Sequence, residues 1–225
     1  MELDEVMRTT FACREFTDEP IPDDVLYDIL DVARFAPTGG NRQGQRVIVV
    51  RNPQVRRQLA DLCRQPMAGY MAQAYLGESP MNTIVPSRVD PATVDAATLR
   101  SPFLDSLEEV PALLVVCVDL SLVASFDSNL DRVGVISGGS IYPFVQNILL
   151  AARARGYGGV ITTSLANQEP AAQQILGLPR HIAIAALVPL GRPVTQLTKL
   201  RRRRVEDFTT LDRLDGPPLE GSSSS

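Results

Sequence analysis

Residues 13–50 read CREFTDEPIPDDVLYDILDVARFAPTGGNRQGQRVIVV. The signals in this stretch run helix, glycine loop, strand. Val25, Leu26, Ile29, Leu30 and Ala33 recur at helical spacing, which predicts a helix over residues 22–36 with one apolar face. Pro22 suits its first turn, where a missing N–H costs nothing. Pro37 stops it, because the residue before a proline is pushed out of the α region. PTGGN then forms a loop whose two glycines permit tight backbone geometry. Residues 46–50 continue as a strand.

Downstream, Asn52-Pro53 opens a helix as cap and first residue, with Val55, Leu59 and Leu62 as its stripe. Residues 66–76 predict another, with Met67, Tyr70, Met71 and Ala74 on one face. Residues 77–110 are broken by Gly77, Pro80, Pro86, Pro91 and Pro102, and irregular segments of that length are usually functional or mobile. ALLVVCVD (112–119) predicts a buried strand. Residues 138–155 predict the central core helix, with a stripe of Ile141, Val145, Ile148, Leu149 and Ala152. Pro143 either kinks that helix or marks its first turn, and Gly156 ends it. GGVITTS (158–164) predicts a short strand at a crowded place, Glu169-Pro170 to Gly177 a helix, and residues 182–191 a second buried strand. The chain closes with KLRRRR (199–204) and GPPLEGSSSS (216–225). The reading is one α+β domain over residues 1–214 and a disordered tail over 215–225. GxGxxG after a first strand and GxxxxGK[ST] are both missing, so the dinucleotide and P-loop signatures are not met.

Composition narrows the function. The chain has 225 residues, 44% hydrophobic and 21% charged, close to the globular average. No apolar run approaches the ~20 residues of a membrane helix, and the acidic, polar N-terminus is not a secretory signal, so a cytoplasmic protein with no membrane partner is expected. A net charge of −4 argues against general nucleic-acid binding. Lys199 is the only lysine among 22 cations. That bias is either a coding preference or a use of arginine's bidentate fork. Cys13, Cys63 and Cys117 form no Cys-x-x-Cys pair and read as reduced, buried thiols. His181 is the only histidine, which excludes multi-histidine zinc sites and HExxH proteases. No metal is expected, and reactive chemistry would belong to a bound cofactor.

Three separated segments suit one flat, anionic ligand: Arg14 in RTTFACREF, PTGGNRQ with Asn41 and Gln43, and the arginine run 201–204. Each alone also has a bland reading, as a surface ion pair, an ordinary loop or a solvated run. Together they resemble the nitroreductase-like FMN flavoproteins. That family's pattern is an R-S-x-R-x-F turn, a helix, then A-P-[ST]-x-x-N-x-Q before a strand. Arg14, Phe16, Ala36-Pro37-Thr38, Asn41 and Gln43 fall in that order. Gln146-Asn147, GYGG (156–159), LGLP (176–179) and LVPLGRP (187–193) follow it. The resemblance covers residues 5 to about 212, and the wording is closest to actinobacterial NADPH-dependent nitroreductases.

The resemblance implies a nitroreductase-like α+β fold, a central mostly antiparallel sheet flanked by helices, in an intertwined homodimer. Residues 205–214 would reach onto the partner. It implies two FMN sites, each built by both subunits. Arg14 would reach the ribityl chain and the pyrimidine side of the flavin, and give electrostatic support to reduction. Pro37, Thr38, Gly39, Asn41 and Gln43 would come from the partner. Val160, Ile161, Thr162 and Thr163 would run along the opposite ring edge, with a backbone N–H near Thr163 donating to N5. Arg202 and Arg203 would hold the phosphate. Two positions depart from the family: Thr10-Phe11-Ala12 replaces Arg-x-Ser, with Arg8 or Thr10 as the compensating residue, and Thr163-Ser164 replaces Glu-Gly.

The implied activity is an NAD(P)H-dependent, two-electron, ping-pong reduction of nitroaromatics, quinones or related small electrophiles. Flavin-fragmenting or dehalogenating members, or a flavin binder without turnover, are the alternatives. Residues 66–110 would wall the substrate pocket through Tyr70, Met71, Tyr75, Met81 and Phe103, which otherwise read as lid packing.

Overall fold

The computed structural model describes residues 1–94 and 101–221. Its helices are α1 (Leu3–Thr9), α2 (Asp23–Ala33), α3 (Pro53–Arg64), α4 (Met67–Tyr75), α5 (Pro102–Asp105), α6 (Tyr142–Ala154) and α7 (Glu169–Leu176). Its strands are β1 (Gln45–Val49), β2 (Ala112–Asp119), β3 (Gly158–Gly159) and β4 (Ile182–Gly191). They form one sheet in the order β1-β2-β4-β3, and every pairing is antiparallel.

β2 explains why ALLVVCVD is apolar without alternation. Successive side chains point to opposite faces of a strand, and here both faces are covered. Leu114, Val116 and Val118 join a core with Ile29 of α2 and Val145 and Ile148 of α6. Leu113, Val115 and Cys117 join a second core with Leu59 of α3, Leu104 of α5 and Ala172 of α7. The sheet therefore lies between two helical layers, the α+β arrangement expected.

β4 carries one residue more than β2 opposite it. Val116 pairs with Ala186 and Cys117 with Ile184, so Ala185 is the extra residue of a β-bulge. Ala185 and Ala186 both lie in the core beneath α6. The Ile184 N–H beside the bulge donates to Glu169 Oε1 at 2.6 Å.

Element boundaries shift for local reasons. α2 starts after Pro22 and ends at Ala33, three residues before the expected end, because Arg34 to Ala36 tighten into turns. Asn52 caps α3 as expected, its Oδ1 accepting from Gln54 N at 2.9 Å and Val55 N at 3.2 Å. The helix expected from residue 138 starts at Tyr142, after a 3₁₀ turn at Ile136–Ser140, and Pro143 stands in its first turn. The strand expected over residues 158–164 is only Gly158–Gly159, with Thr162 rejoining Leu187 through a single bridge. α1 was not anticipated. It buries only Val6 and Thr9, too few apolar positions for a periodic signal. Residues 209–219 turn back on themselves, with Leu211 N donating to Pro217 O at 2.8 Å. Residues 222–225 of the expected tail lie outside the described residues. Among the described residues, no helix is long and apolar enough to cross a membrane.

Candidate active site

Residues 12–17 run along the end of the sheet. Ala12 bridges Gly159, Cys13 N donates to Gly159 O at 3.0 Å, and Thr17 N donates to Arg192 O at 2.9 Å. Gly158 and Gly191 make this approach possible, while Gly159 is crowded from the neighbouring strand. A Cβ on Gly158 would stand 3.0 Å from Cys13 Cβ, and one on Gly191 would stand 2.8 Å from Phe16 Cβ. A Cβ on Gly159 would meet Leu190 Cδ2 at 2.4 Å. The crowding expected at GGVITTS is therefore real at its leading glycines, and it tethers the segment that carries Arg14.

Arg14 and the Val160–Ser164 segment together open on a cavity of about 590 Å³. Tyr70, Met71, Met81 and Phe103 form its apolar wall. The Arg14 guanidinium donates to Ala12 O at 3.4 Å and lies 5.9 Å from the Phe103 ring centroid. Among the described residues no carboxylate pairs with it, so the bland reading of an ion pair with Asp18 has no counterpart here. Thr162 exchanges both backbone hydrogen bonds with Leu187, at 3.0 and 2.8 Å. Its neighbours Ile161 and Thr163 then present backbone N–H groups with no intramolecular acceptor among the described residues. An uncompensated cation, a free N–H on one edge and a flat apolar wall fit a planar, anionic flavin.

The cysteines supply no nucleophile to this cavity. Burial pushes the Cys63 and Cys117 thiols up to about 11 and raises Cys13 as well. Cys63 lies beneath the cavity rim, and its hydrogen bond to Ser164 only partly offsets that burial. All three stay protonated at neutral pH.

The remaining expected residues lie apart from this cavity within one chain. Thr38, Gly39, Asn41 and Gln43 form the connection between α2 and β1, folded on itself. Gln43 N donates to Thr38 Oγ1 at 3.0 Å, and Gly39 N donates to Ser140 Oγ at 3.3 Å, beside the start of α6. Gly40, Asn41 and Gln43 take left-handed φ values of 61°, 53° and 51°. Pro37 leads into this loop and Arg8 stands in the last turn of α1, both outside the cavity lining. Arg202 and Arg203 are exposed. Arg202 donates to Arg201 O, and Arg203 lies 6.0 Å from the Phe208 ring centroid. Arg204 is already paired with Glu206 at 3.1 Å. Tyr75 is a correction: it is 88% exposed and does not line the cavity. It follows Ala74 on the outward side of α4, whereas Met67, Tyr70 and Met71 turn inward. Met67, Pro80, Ser164 and Asn167 also line the cavity, although the sequence pointed to none of them as a pocket residue. Ser164 and Asn167 belong to a 3₁₀ turn, which leaves no periodic signal in the sequence.

The sequence pattern of the nitroreductase family matches residues 7–192. The chain belongs to the nitroreductase family. The expectation of an oxidoreductase enzyme stands with that membership, and so does the nitroreductase-like fold. Among curated relatives, an NADH dehydrogenase of Thermus thermophilus is 26% identical over 185 residues, covering 82% of this chain and 83% of that one. A nitrobenzene nitroreductase of Ectopseudomonas oleovorans is 25% identical over 231 residues, covering 92% and 96%. Among solved structures, an oxidised iodotyrosine deiodinase bound to FMN and 3-iodo-L-tyrosine superposes with a TM-score of 0.66 at 23% identity, covering 91% of this chain and 96% of that one.

Proposed function

We propose that this nitroreductase is an FMN-dependent NAD(P)H oxidoreductase that works as a homodimer and reduces nitroaromatics, quinones or related small electrophiles. The observation that carries the reading is the division of the site. Arg14 and Val160–Thr163 line the cavity, while the Pro37–Gln43 loop of the same chain folds away from it. Two copies exchanging that loop would complete each other's site. The relatives named for NADH dehydrogenation and nitroreduction, and the FMN-bound neighbour, support the chemistry.

FMN, when bound, supplies the two-electron hydride chemistry that no side chain here provides. Arg14, which lines the cavity, would supply a positive charge beside the bound flavin and so favour its reduction. The Thr163 N–H, which has no intramolecular acceptor among the described residues, would donate to the edge of the bound ring. Arg202 and Arg203, unlike Arg204, are free of carboxylate partners among the described residues and would grip the phosphate. Tyr70, Met71, Met81 and Phe103, within the 66–110 wall, stack on the substrate and exclude water. NAD(P)H and then the acceptor would use the same cavity in turn, giving a ping-pong cycle in the cytoplasm on a domain spanning residues 1–214.

An absorbance spectrum before and after anaerobic NADPH tests this. A yellow protein whose flavin band bleaches, and recovers on adding a quinone, supports it. A colourless protein that takes up no FMN overturns it. Dehalogenation is the second reading, favoured by the likeness to the deiodinase. Halide release from 3-iodotyrosine under reducing conditions, with no nitroaromatic turnover, would select it.

A further inference from the structure

One wall of the cavity is the loop that follows α4, and it is held by side chains the sequence reading did not single out. Gly77, just past the end of α4, takes φ 71°, and Glu78 N donates back to Gln73 O at 2.9 Å. The same residue holds the loop a second time: Gln73 Oε1 accepts from Met81 N at 2.8 Å. Met81 has φ 55°, a left-handed conformation that an unbranched non-glycine residue adopts only when its surroundings hold it. Met81 and its neighbour Pro80 both line the cavity. The base of the loop is closed independently. Glu78 accepts from Ser87 Oγ at 2.7 Å, from Arg88 N at 2.8 Å and from Arg88 Nε at 3.3 Å, and Arg88 Nη2 donates to Leu76 O at 3.3 Å. Residues 77–88 are thus a compact surface loop with its ends joined and its middle hung from α4 by one amide.

We propose that Gln73 is a positioning residue that sets the size of acceptor the cavity admits, by holding Met81 against the opening, with Glu78 as the latch at the loop's base. The inference rests on the proposed reductase activity and adds to it a determinant of substrate size. Neither residue touches the cavity in the structure, so their effect passes through Met81 and Pro80. Loss of the Gln73 acceptor would release Met81 from its left-handed conformation toward an ordinary extended one, which shifts the side chain and widens the wall. Arg14 and Val160–Thr163 stand on separate elements and stay in place.

The test compares the FMN-loaded parent with Gln73→Met, which keeps length but removes the acceptor, and Gln73→Glu, which restores an acceptor oxygen. The ratio of kcat/KM for a one-ring quinone to that for a two-ring quinone is measured with saturating NADPH. The rate of anaerobic flavin reduction is measured alongside. The expected result is a threefold or greater shift of the ratio toward the larger quinone in Gln73→Met, carried by KM, with a parent-like ratio in Gln73→Glu. Glu78→Gln is the second variant should Gln73→Met fail to fold, and it should shift the ratio the same way. A parent-like ratio in a folded, active Gln73→Met or Glu78→Gln overturns the proposal, as does a shift that Gln73→Glu does not reverse. A parent protein that neither binds FMN nor oxidises NADPH overturns the underlying reading instead.

Discussion

The Tyr142 hydroxyl donates to the Ala185 carbonyl at 3.2 Å, from the first turn of α6 to the extra residue of the β4 bulge. A bulge leaves backbone groups outside the ladder, and here they are taken up from both sides of the sheet. Tyr142 serves the carbonyl of Ala185 from one layer, and Glu169 serves the N–H of Ile184 from the other. Tyr142→Phe should therefore cost about 1 kcal/mol, a fall in Tm of roughly 2–4 °C for a chain of this size. Thermal melts of the two proteins check it. An unchanged Tm would mean that water satisfies the carbonyl equally well.

Asp127 organises the turn before α6. Its side chain is 5% exposed and accepts from Val135 N at 2.7 Å, Arg132 Nη1 at 2.9 Å and Ile136 N at 3.3 Å. The Val135 N–H above all holds the carboxyl below its ordinary value, with Arg132 and Ile136 adding to it. A carboxylate depressed on folding contributes stability that is present above its unfolded pKa of about 3.9 and lost as pH falls through the lower folded value. Urea midpoints of the parent and Asp127→Asn should thus differ at pH 6, and the gap should close as pH drops below about 4. A gap that is constant with pH would remove the carboxylate's charge from the account.

Two glycines should respond in opposite directions. Gly159→Ala places a Cβ 2.4 Å from Leu190 Cδ2 and 2.7 Å from Pro189 O, so the strand must shift, at about 1–3 kcal/mol. Gly69→Ala, inside α4 with nothing within 4 Å of the new Cβ, should stabilise by about 0.5–1 kcal/mol. Chemical denaturation of both variants distinguishes crowding from a general dislike of alanine.

Arg202→Ala combined with Arg203→Ala should weaken FMN retention at least tenfold, since charge-assisted hydrogen bonds contribute about 1.5–3 kcal/mol each. Arg204→Ala should do less, because Arg204 is engaged by Glu206. Equilibrium dialysis gives the affinities. Equal losses in both would make the effect one of net charge.

Arg14→Met keeps length and apolar volume while deleting the charge. At saturating FMN the flavin's reduction potential should fall and hydride transfer from NADPH should slow at least tenfold. Spectroelectrochemistry and anaerobic stopped flow provide the two numbers. Parent values in both would reduce Arg14 to a partner of the Phe103 ring.

Much of the fold was legible in the chain because its signals are local. Asn52-Pro53 states a cap and a first turn, and Gly177 a left-handed stop at φ 67°. ALLVVCVD states burial on both faces by lacking any alternation. Arg14, PTGGN and the arginine run 201–204 could be read as candidates for one site, because the motifs around them fall in the family's order along the chain. What the residues could not state is which parts meet. Arg14 reaches the cavity because Gly158 and Gly191 let residues 12–17 lie against the sheet end, a contact across more than 140 positions of sequence. PTGGN instead turns toward Ser140, and Tyr75 points outward although Tyr70 and Met71 of the same helix line the cavity. Gln73 looked like an ordinary polar residue on a helix until the chain's return brought the Met81 N–H within 2.8 Å of it. Helical spacing and capping act over a few residues and are written in composition. The pairing of an exposed amide with a distant N–H, or of a hydroxyl with a bulged carbonyl, depends on where packing carries the backbone, and only the folded chain decides it.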